Sequence, residues 1–388
     1  MHSEKIHVCH ITTLHPRDDA RILHREIGSL RRMTTLDLTL LVADGLGEQV
    51  LQATEGDISI IDLGIRKTNR FGRATVTQFQ ALLWLLRKRP DIVHIHDPEL
   101  LITACVLRCL GRKVVFDSHE DLPKQIMAKE WIPTSIRGAV SSLISVIYRN
   151  FLGLLSNVVC ATPSIAETIG TKNCVVARNF PRLTDFSSSQ QMKSIDTTHS
   201  NNRVKLLYVG SISKDRGIET MLSLIHKLNQ LGCSAELIVA GEWNDGLRRE
   251  CSKHEGWEYT TICGRVSRDE VAELLQAATL GMLLLSPTPN HLDALPVKLF
   301  EYCAAGLPIV ASNYPILESL VAGENTGICL PLEDISLMAS EVAKLIQNEE
   351  LRAEMSTNGI SAVHTKWNWE SEESRFLDMY EALIPRRN

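Results

Sequence analysis

Short apolar runs separated by helix-like patterns recur along the chain. In the first half, KIHVCHITT (5–13), LDLTLLVAD (36–44), DISIIDL (57–63), DIVHIHD (91–97), KVVFDSH (113–119) and NVVCATP (157–163) are rich in β-branched residues and bounded by turn formers, which predicts strands. Between several of them, segments such as ARILHREIGSLRRM and VTQFQALLWLLRKR space their apolar residues near the helical period. Strand and helix in alternation imply a parallel sheet covered on both faces, because parallel strands need crossovers that bury them. A polar stretch, DFSSSQQMKSIDTTHSNN (185–202), breaks the pattern. It then restarts with VKLLYVG (204–210), SAELIVAG (234–241), EYTTICG (258–264), LGMLLLS (280–286), PIVAS (308–312) and GICL (327–330). The fold class is therefore α/β, with two Rossmann-like domains expected at residues 1–184 and 204–366 and a linker or loop at 185–203. The tail, 367–388, carries an amphipathic helix with Phe376, Leu377, Tyr380 and Leu383 on one side.

Composition narrows the class. A chain of 388 residues exceeds what one hydrophobic core usually supports, and 44% apolar with 22% charged residues excludes a disordered protein. The ten cysteines form no CxxC pair and mostly sit in apolar runs, which points to a reducing compartment. No stretch reaches the roughly 20 uninterrupted apolar residues of a spanning helix, and the N-terminus enters a strand without a signal-like segment. A cytoplasmic protein is expected. Net charge is −5, but residues 1–185 hold 23 Lys+Arg against 19 Asp+Glu and the remainder 18 against 27. The mildly basic first half suits an anionic surface or acceptor. Within it SIRGAVSSLISVIYRNFLGLLSN (135–157) is apolar with Arg137 and Arg149, readable as an interfacial helix or as a buried one.

Chemistry concentrates where strands end, since open α/β sheets bind ligands beyond the carboxyl ends of their strands. The strongest segment is LDALPVKLFEYCAAGLPIVAS (292–312). Pro296 suits a helix start, whose free amides attract phosphate, and Lys298 places a cation in the first turn where helix stability does not call for one. Glu301, one turn in, has the geometry to accept two hydrogen bonds from a vicinal diol, and Asp293 precedes it. In YVGSISKDRGIETMLSLI (208–225), Lys214 and Arg216 precede Gly217, where a guanidinium can meet phosphate oxygens in bidentate fashion. Neither a dinucleotide fingerprint nor a P-loop is present. In the first half, His94, His96 and Asp97 end one strand, while Asp117, His119, Glu120 and Asp121 follow another. A zinc site drawn from His96, His119 and these acids lacks HExxH or CxxC spacing. Asp18 or Asp19 can cap the first helix, Arg21 can reach the ligand side, and His24 and Arg25 fit a helix surface.

The ordered set DARI..RE, HIHDPE, FDSHEDLP, RNFP, YVGS....RGIE, GRVSRDEVAELL, PVKLFEYCAAGLPIVAS and NWE resembles the GT-B glycosyltransferases, specifically bacterial members of glycosyltransferase family four that build surface polysaccharides. The resemblance implies two facing domains with a C-terminal helix crossing back to the first. It also implies a nucleotide-sugar donor held by the second domain, a UDP-sugar ahead of GDP or ADP, and a glycan or lipid-linked acceptor on the first. The family's Glu-x7-Glu reads Asp293-x7-Glu301 here, one methylene short at its first acid. By that resemblance Gly210, Ser211, Arg216, Gly264, Arg265, Val266, Asp293, Ala294, Leu295, Pro296, Lys298 and Glu301 bind donor. His96, Asp293, Glu301 and Arg216 carry the chemistry, and Arg21, His119 and Glu120 lie on the acceptor side. Ser211 stands where the family often has a cation, so phosphate stabilisation leans on Arg216, Lys298 and backbone amides. The implied reaction is a retaining transfer that requires no metal or other cofactor. Peripheral contact with the cytoplasmic face of an inner membrane is expected and a nucleic-acid partner is not; the oligomeric state is left open. A sugar-nucleotide 2-epimerase of the same fold, or a non-catalytic nucleotide- or glycan-binding subunit, remain alternatives.

Overall fold

A computed structural model describes residues 5–64, 73–119, 121–127, 132–186, 203–292 and 295–384. The chain divides into two compact units, Met1–Asn179 with Glu372–Asn388 and Phe180–Ser371. The first is built on eight strands, β1 (Ile6–Ile11), β2 (Leu36–Val42), β3 (Gln49–Leu51), β4 (Ile58–Asp62), β5 (Ile92–Ile95), β6 (Lys113–Ser118), β7 (Asn157–Cys160) and β8 (Cys174–Val176). They lie in the order β3-β4-β2-β1-β5-β6-β7-β8, and β3 on β4 is the one antiparallel pairing described. β1 thus has β2 on one side and β5 on the other, the point where strand order reverses and ligands bind.

The second unit has β9 (Val204–Val209), β10 (Ala235–Ala240), β11 (Thr260–Gly264), β12 (Leu280–Leu283), β13 (Ile309–Ser312) and β14 (Gly327–Leu330), in the order β11-β10-β9-β12-β13-β14 and parallel throughout. Its reversal point is β9, between β10 and β12. The sheets are two parallel Rossmann-like sheets, as the periodicity implies. The strands not expected, β3 and β8, are three residues each at sheet edges, too short to show a period.

The polar stretch does not mark where the chain changes unit. That passage lies at Asn179 and Phe180, because Phe180 packs edge-on against Phe300 of the second unit, ring centroids 4.7 Å apart. Most of the expected linker, 187–202, falls outside the described residues. The helix Trp369–Leu383 returns the chain to the first unit. Its buried face differs from the apolar one expected: Phe376, Met379 and Tyr380 are buried while Leu377 and Leu383 are only half-buried. Two buried carboxylates share that face. Glu373 accepts from Ser29 Oγ at 2.6 Å and Arg32 at 2.8 Å, and Glu372 from Arg178 at 2.9 Å, which sets the rotation of the helix.

Candidate functional site

In the second unit the site grows from the end of β9. Gly210 follows the strand with φ 130°, and a Cβ there would overlap the Lys298 side chain, so glycine is what lets the ammonium pass beside the backbone. The next loop turns into the helix Ile218–Gln230 at Gly217 (φ 78°), where a Cβ would strike the Leu284 carbonyl. Arg216 is half-buried beside Tyr208, whose ring centroid lies 5.5 Å from Lys298 Nζ. Lys214, its companion in the motif, is exposed and paired with Glu219 at 3.0 Å and Glu250 at 2.5 Å, so it serves the surface.

Lys298 itself sits on the helix Val297–Ala304. Pro296 occupies the position that precedes the helix rather than its first turn, and no side chain among the described residues caps those amides. Tyr302 sets the helix in place, its hydroxyl accepting from Val209 N at 3.2 Å and its ring filling the space a Cβ on Gly281 would need. Glu301 is half-buried and attracts Lys298. Burial depresses the Lys298 pKa to about 8, with repulsion from Arg216 adding to it and Glu301 opposing. Two cations thus crowd a largely buried space at the reversal point of the sheet, an arrangement that a bound anion would relieve.

The other expected donor residues are more dispersed. Gly264 ends β11 (φ 69°) and accepts at its carbonyl from Gly241 N at 2.7 Å. Gly241 was not singled out from sequence, although Gly210, Gly241 and Gly264 close three neighbouring strands, a pattern visible in the chain. Ser211 and Arg265 are exposed; Arg265 faces Glu242 at 3.3 Å, and Val266 and Leu295 are half-buried. The polar residues of GRVSRDE serve the helix Arg268–Ala277, where Ser267 and Glu270 form a reciprocal capping box. Asp293, Ala294 and Glu120 lie outside the described residues.

In the first unit His96, Asp117, Ser118, His119 and Tyr148 line a small pocket. His119 is 21% exposed, whereas His96 is fully buried with one ring nitrogen 3.0 Å from His10 and the other 3.4 Å from Asp117. Arg21 does not reach a ligand surface. Its guanidinium is buried, donating to Asp117 at 2.7 and 2.8 Å and to the Ala177 carbonyl at 3.1 Å, with Glu26 at 3.1 Å. Burial alone would raise the Asp117 pKa, but Arg21, His119 and His96 hold it well below the usual range. Arg25 is likewise buried, against Asn179, rather than on the helix surface, and Asp19 caps the helix. Asp97 accepts from Thr13 N at 2.5 Å and from Thr12 and Thr13 hydroxyls at 3.1 Å, tying the loop after β1 to β5. His15, absent from the expected set, lies 3.2 Å from Asp19 and 4.9 Å ring to ring from His119. Burial opposes its charged form, yet Asp19 and Asp97 raise its pKa.

Residues 190–362 match Glycosyl transferases group 1 and residues 38–178 match Glycosyltransferase Family 4. The chain is 22% identical over 315 residues to a Mycobacterium tuberculosis glycogen synthase, spanning 76% of this chain and 69% of that protein. It is 21% identical over 319 residues to a Mycolicibacterium smegmatis phosphatidyl-myo-inositol mannosyltransferase, spanning 81% and 76%. The structure of Anabaena HepE in complex with UDP and glucose superposes with a TM-score of 0.68 at 12% identity, over 97% of this chain and 100% of that one. With both sheets and both halves matched, the chain belongs to the GT-B glycosyltransferases of the family-four, group 1 type.

Proposed function

We propose that this glycosyltransferase moves a sugar, with retention of configuration, from a nucleotide-sugar donor to a glycan or lipid-linked acceptor in surface-polysaccharide synthesis. The observation that carries the donor half is the pairing of Lys298 with Arg216 beside Gly210, and Glu301 one turn along the same helix. The departing diphosphate is stabilised by these two cations and the helix amides, fixed before reaction, so no divalent ion is needed at the phosphates. Glu301 holds the ribose diol. The HepE structure with UDP and glucose favours a UDP-sugar here, and the phosphatidylinositol-directed relative supports a lipid-linked acceptor. Of the two histidines by the first unit's pocket, His119 is the accessible one for the sugar and His96 is buried behind it.

Thermal shift against UDP-, GDP- and ADP-sugars identifies the donor, since a ligand at a hundred times its Kd stabilises by about 2.7 kcal/mol. Glu301→Ala is expected to abolish that shift in a folded protein, and retained donor affinity would refute the ribose assignment. NMR of the products separates transfer from 2-epimerisation. The same proposal places the enzyme on the cytoplasmic face of a bilayer. The helix Thr134–Leu154 leaves Leu143, Val146, Ile147 and Leu154 exposed at 62, 59, 46 and 63%, an apolar stripe suited to the acyl boundary. Arg137 and Arg149 donate to the carbonyls of Ile132 and Ile169, so the apolar residues give the cleaner test. Leu143→Ser/Val146→Ser/Ile147→Ser is expected to lose liposome flotation, and unchanged recovery would discard membrane contact.

A further inference from the structure

Four buried groups outside the donor site converge in the first unit. His10 and His94 are register partners on β1 and β5, and His96, two residues on, shares their face. The segment Ala20–Ile27, wound as a π-helix, lays Glu26 over that face. All four residues are fully buried, and one ligating atom from each lies within 4.8 Å of the others. His10 Nδ1 stands 3.0 Å from His96 Nε2, and Glu26 Oε2 stands 3.9 Å from His96 Nε2 and 3.8 Å from His94 Nδ1.

The carboxylate is the anomaly. Neither oxygen of Glu26 accepts a hydrogen bond among the described residues, although Arg21 lies nearby as a charge partner. Arg21 Nε, 3.1 Å from Oε1, offsets part of the cost of burying this carboxylate, but Oε2 is left without a donor, and buried charges are paired or coordinate metals. Each of the three rings has one nitrogen engaged: His94 Nδ1 meets the Tyr380 hydroxyl at 2.8 Å, which leaves its Nε2 without a hydrogen-bond partner among the described residues. His96 Nδ1 faces Asp117 at 3.4 Å, a carboxylate held by Arg21, and His10 Nε2 faces the Tyr380 hydroxyl at 3.1 Å. Ligating imidazoles need such partners to fix ring orientation and tautomer.

We propose that His10, Glu26, His94 and His96 hold a divalent transition-metal ion of the zinc class. Three imidazoles and one carboxylate suit a borderline ion in tetrahedral geometry, and full burial leaves no open position, so the ion is structural. Bonds of about 2.0–2.1 Å put tetrahedral ligands roughly 3.3 Å apart. The His10–His96 spacing meets that already, and the other ligand atoms, now within 4.8 Å of one another, close by up to about 1.5 Å on binding. The ion joins β1, β5 and the helix at Ala20–Ile27, and through Tyr380 it bears on the C-terminal helix. It is separate from the diphosphate site in the second unit and takes no part in transfer. His96 belongs to this set, rather than to one formed with His119.

The test is metal analysis of untagged protein purified without chelator. About one zinc per chain is expected, along with a lower Tm after stripping with dipicolinate. Cobalt added to the stripped protein is expected to give the intense visible bands of a tetrahedral site. A His10→Gln/His96→Gln variant is expected to lose the metal; equal zinc in variant and wild type would overturn the assignment. Should that variant not fold, the wild type decides: no zinc after zinc dialysis and no visible cobalt bands would leave the four groups as a hydrogen-bonded core.

Discussion

Lys298 is held in a state that costs the free protein stability. Its pKa of about 8 against an ordinary 10.5 means that keeping it charged in the fold costs about 3 kcal/mol, at about 1.4 kcal/mol per pKa unit. Burial and the neighbouring Arg216 are the causes, and Glu301 recovers part of the cost. Lys298→Met keeps the stem and removes the charge, so at pH 7 the variant is expected to gain up to about 3 kcal/mol. The sign follows from proton counts. Between about pH 8 and 10.5 the unfolded chain binds the proton that the folded one has released, so wild-type stability rises with pH through that window. The variant's advantage is full below pH 8 and fades by about pH 10.5. Urea midpoints at pH 7 and pH 10, read at constant m-value, measure it. The gain carries a functional loss. A bound diphosphate draws a proton onto Lys298, so wild-type affinity is expected to weaken up to tenfold per unit above pH 8 and to be flat below it. Calorimetry of UDP binding reports this, and the variant is expected to bind weakly with no such slope. A variant less stable at pH 7, with the same pH dependence as wild type, would refute the reasoning.

Arg21→Met leaves Asp117 and Glu26 buried without their cation, and a loss of roughly 3–5 kcal/mol in chemical denaturation is expected; a loss below 1 kcal/mol, on the order of an exposed pair, would contradict the burial argument. Gly210→Ala puts a Cβ onto Lys298 at a φ of 130°, so UDP affinity should fall with Lys298 displaced, whereas wild-type binding in calorimetry would show that the close approach is dispensable. Tyr380→Phe removes a hydroxyl that lies 3.1 Å from His10 and 2.8 Å from His94, and should cost about 1–3 kcal/mol in urea unfolding; an unchanged midpoint would mean that the C-terminal helix docks on apolar contact alone.

The strands and the spacing of Lys298 and Glu301 were legible because they are local. Alternating apolar runs mark β1, β2, β4 to β7 and β9 to β14 within a residue or a few, and the PVKLFEY segment shows Lys298 and Glu301 one turn apart on one helix. What misled was reading polarity as exposure. Arg21 and Arg25 look like surface cations in a helix of mixed character, yet both are buried, because the acids that neutralise Arg21 and the amide that meets Arg25 come from 117, 26 and 179. The C-terminal helix misled in the same way, its buried Glu372 and Glu373 being paid for by Arg178, Arg32 and Ser29.

The sequence by itself determined the number of domains, the parallel sheets, the strand ends that gather the candidate site residues, and the family. These rest on periods of two and 3.6 residues and on turn chemistry, which act over short separations. Only the tertiary structure decided which distant groups share a space. Residues 10, 26, 94, 96 and 380 meet because β1 and β5 are sheet neighbours although helices and three other strands separate them in the chain. The low pKa of Lys298 is of the same kind, since it depends on how deeply a helix end is buried and on which loop brings Arg216 beside it. Periodicity records the face on which a side chain lies; crossover topology determines what it meets there.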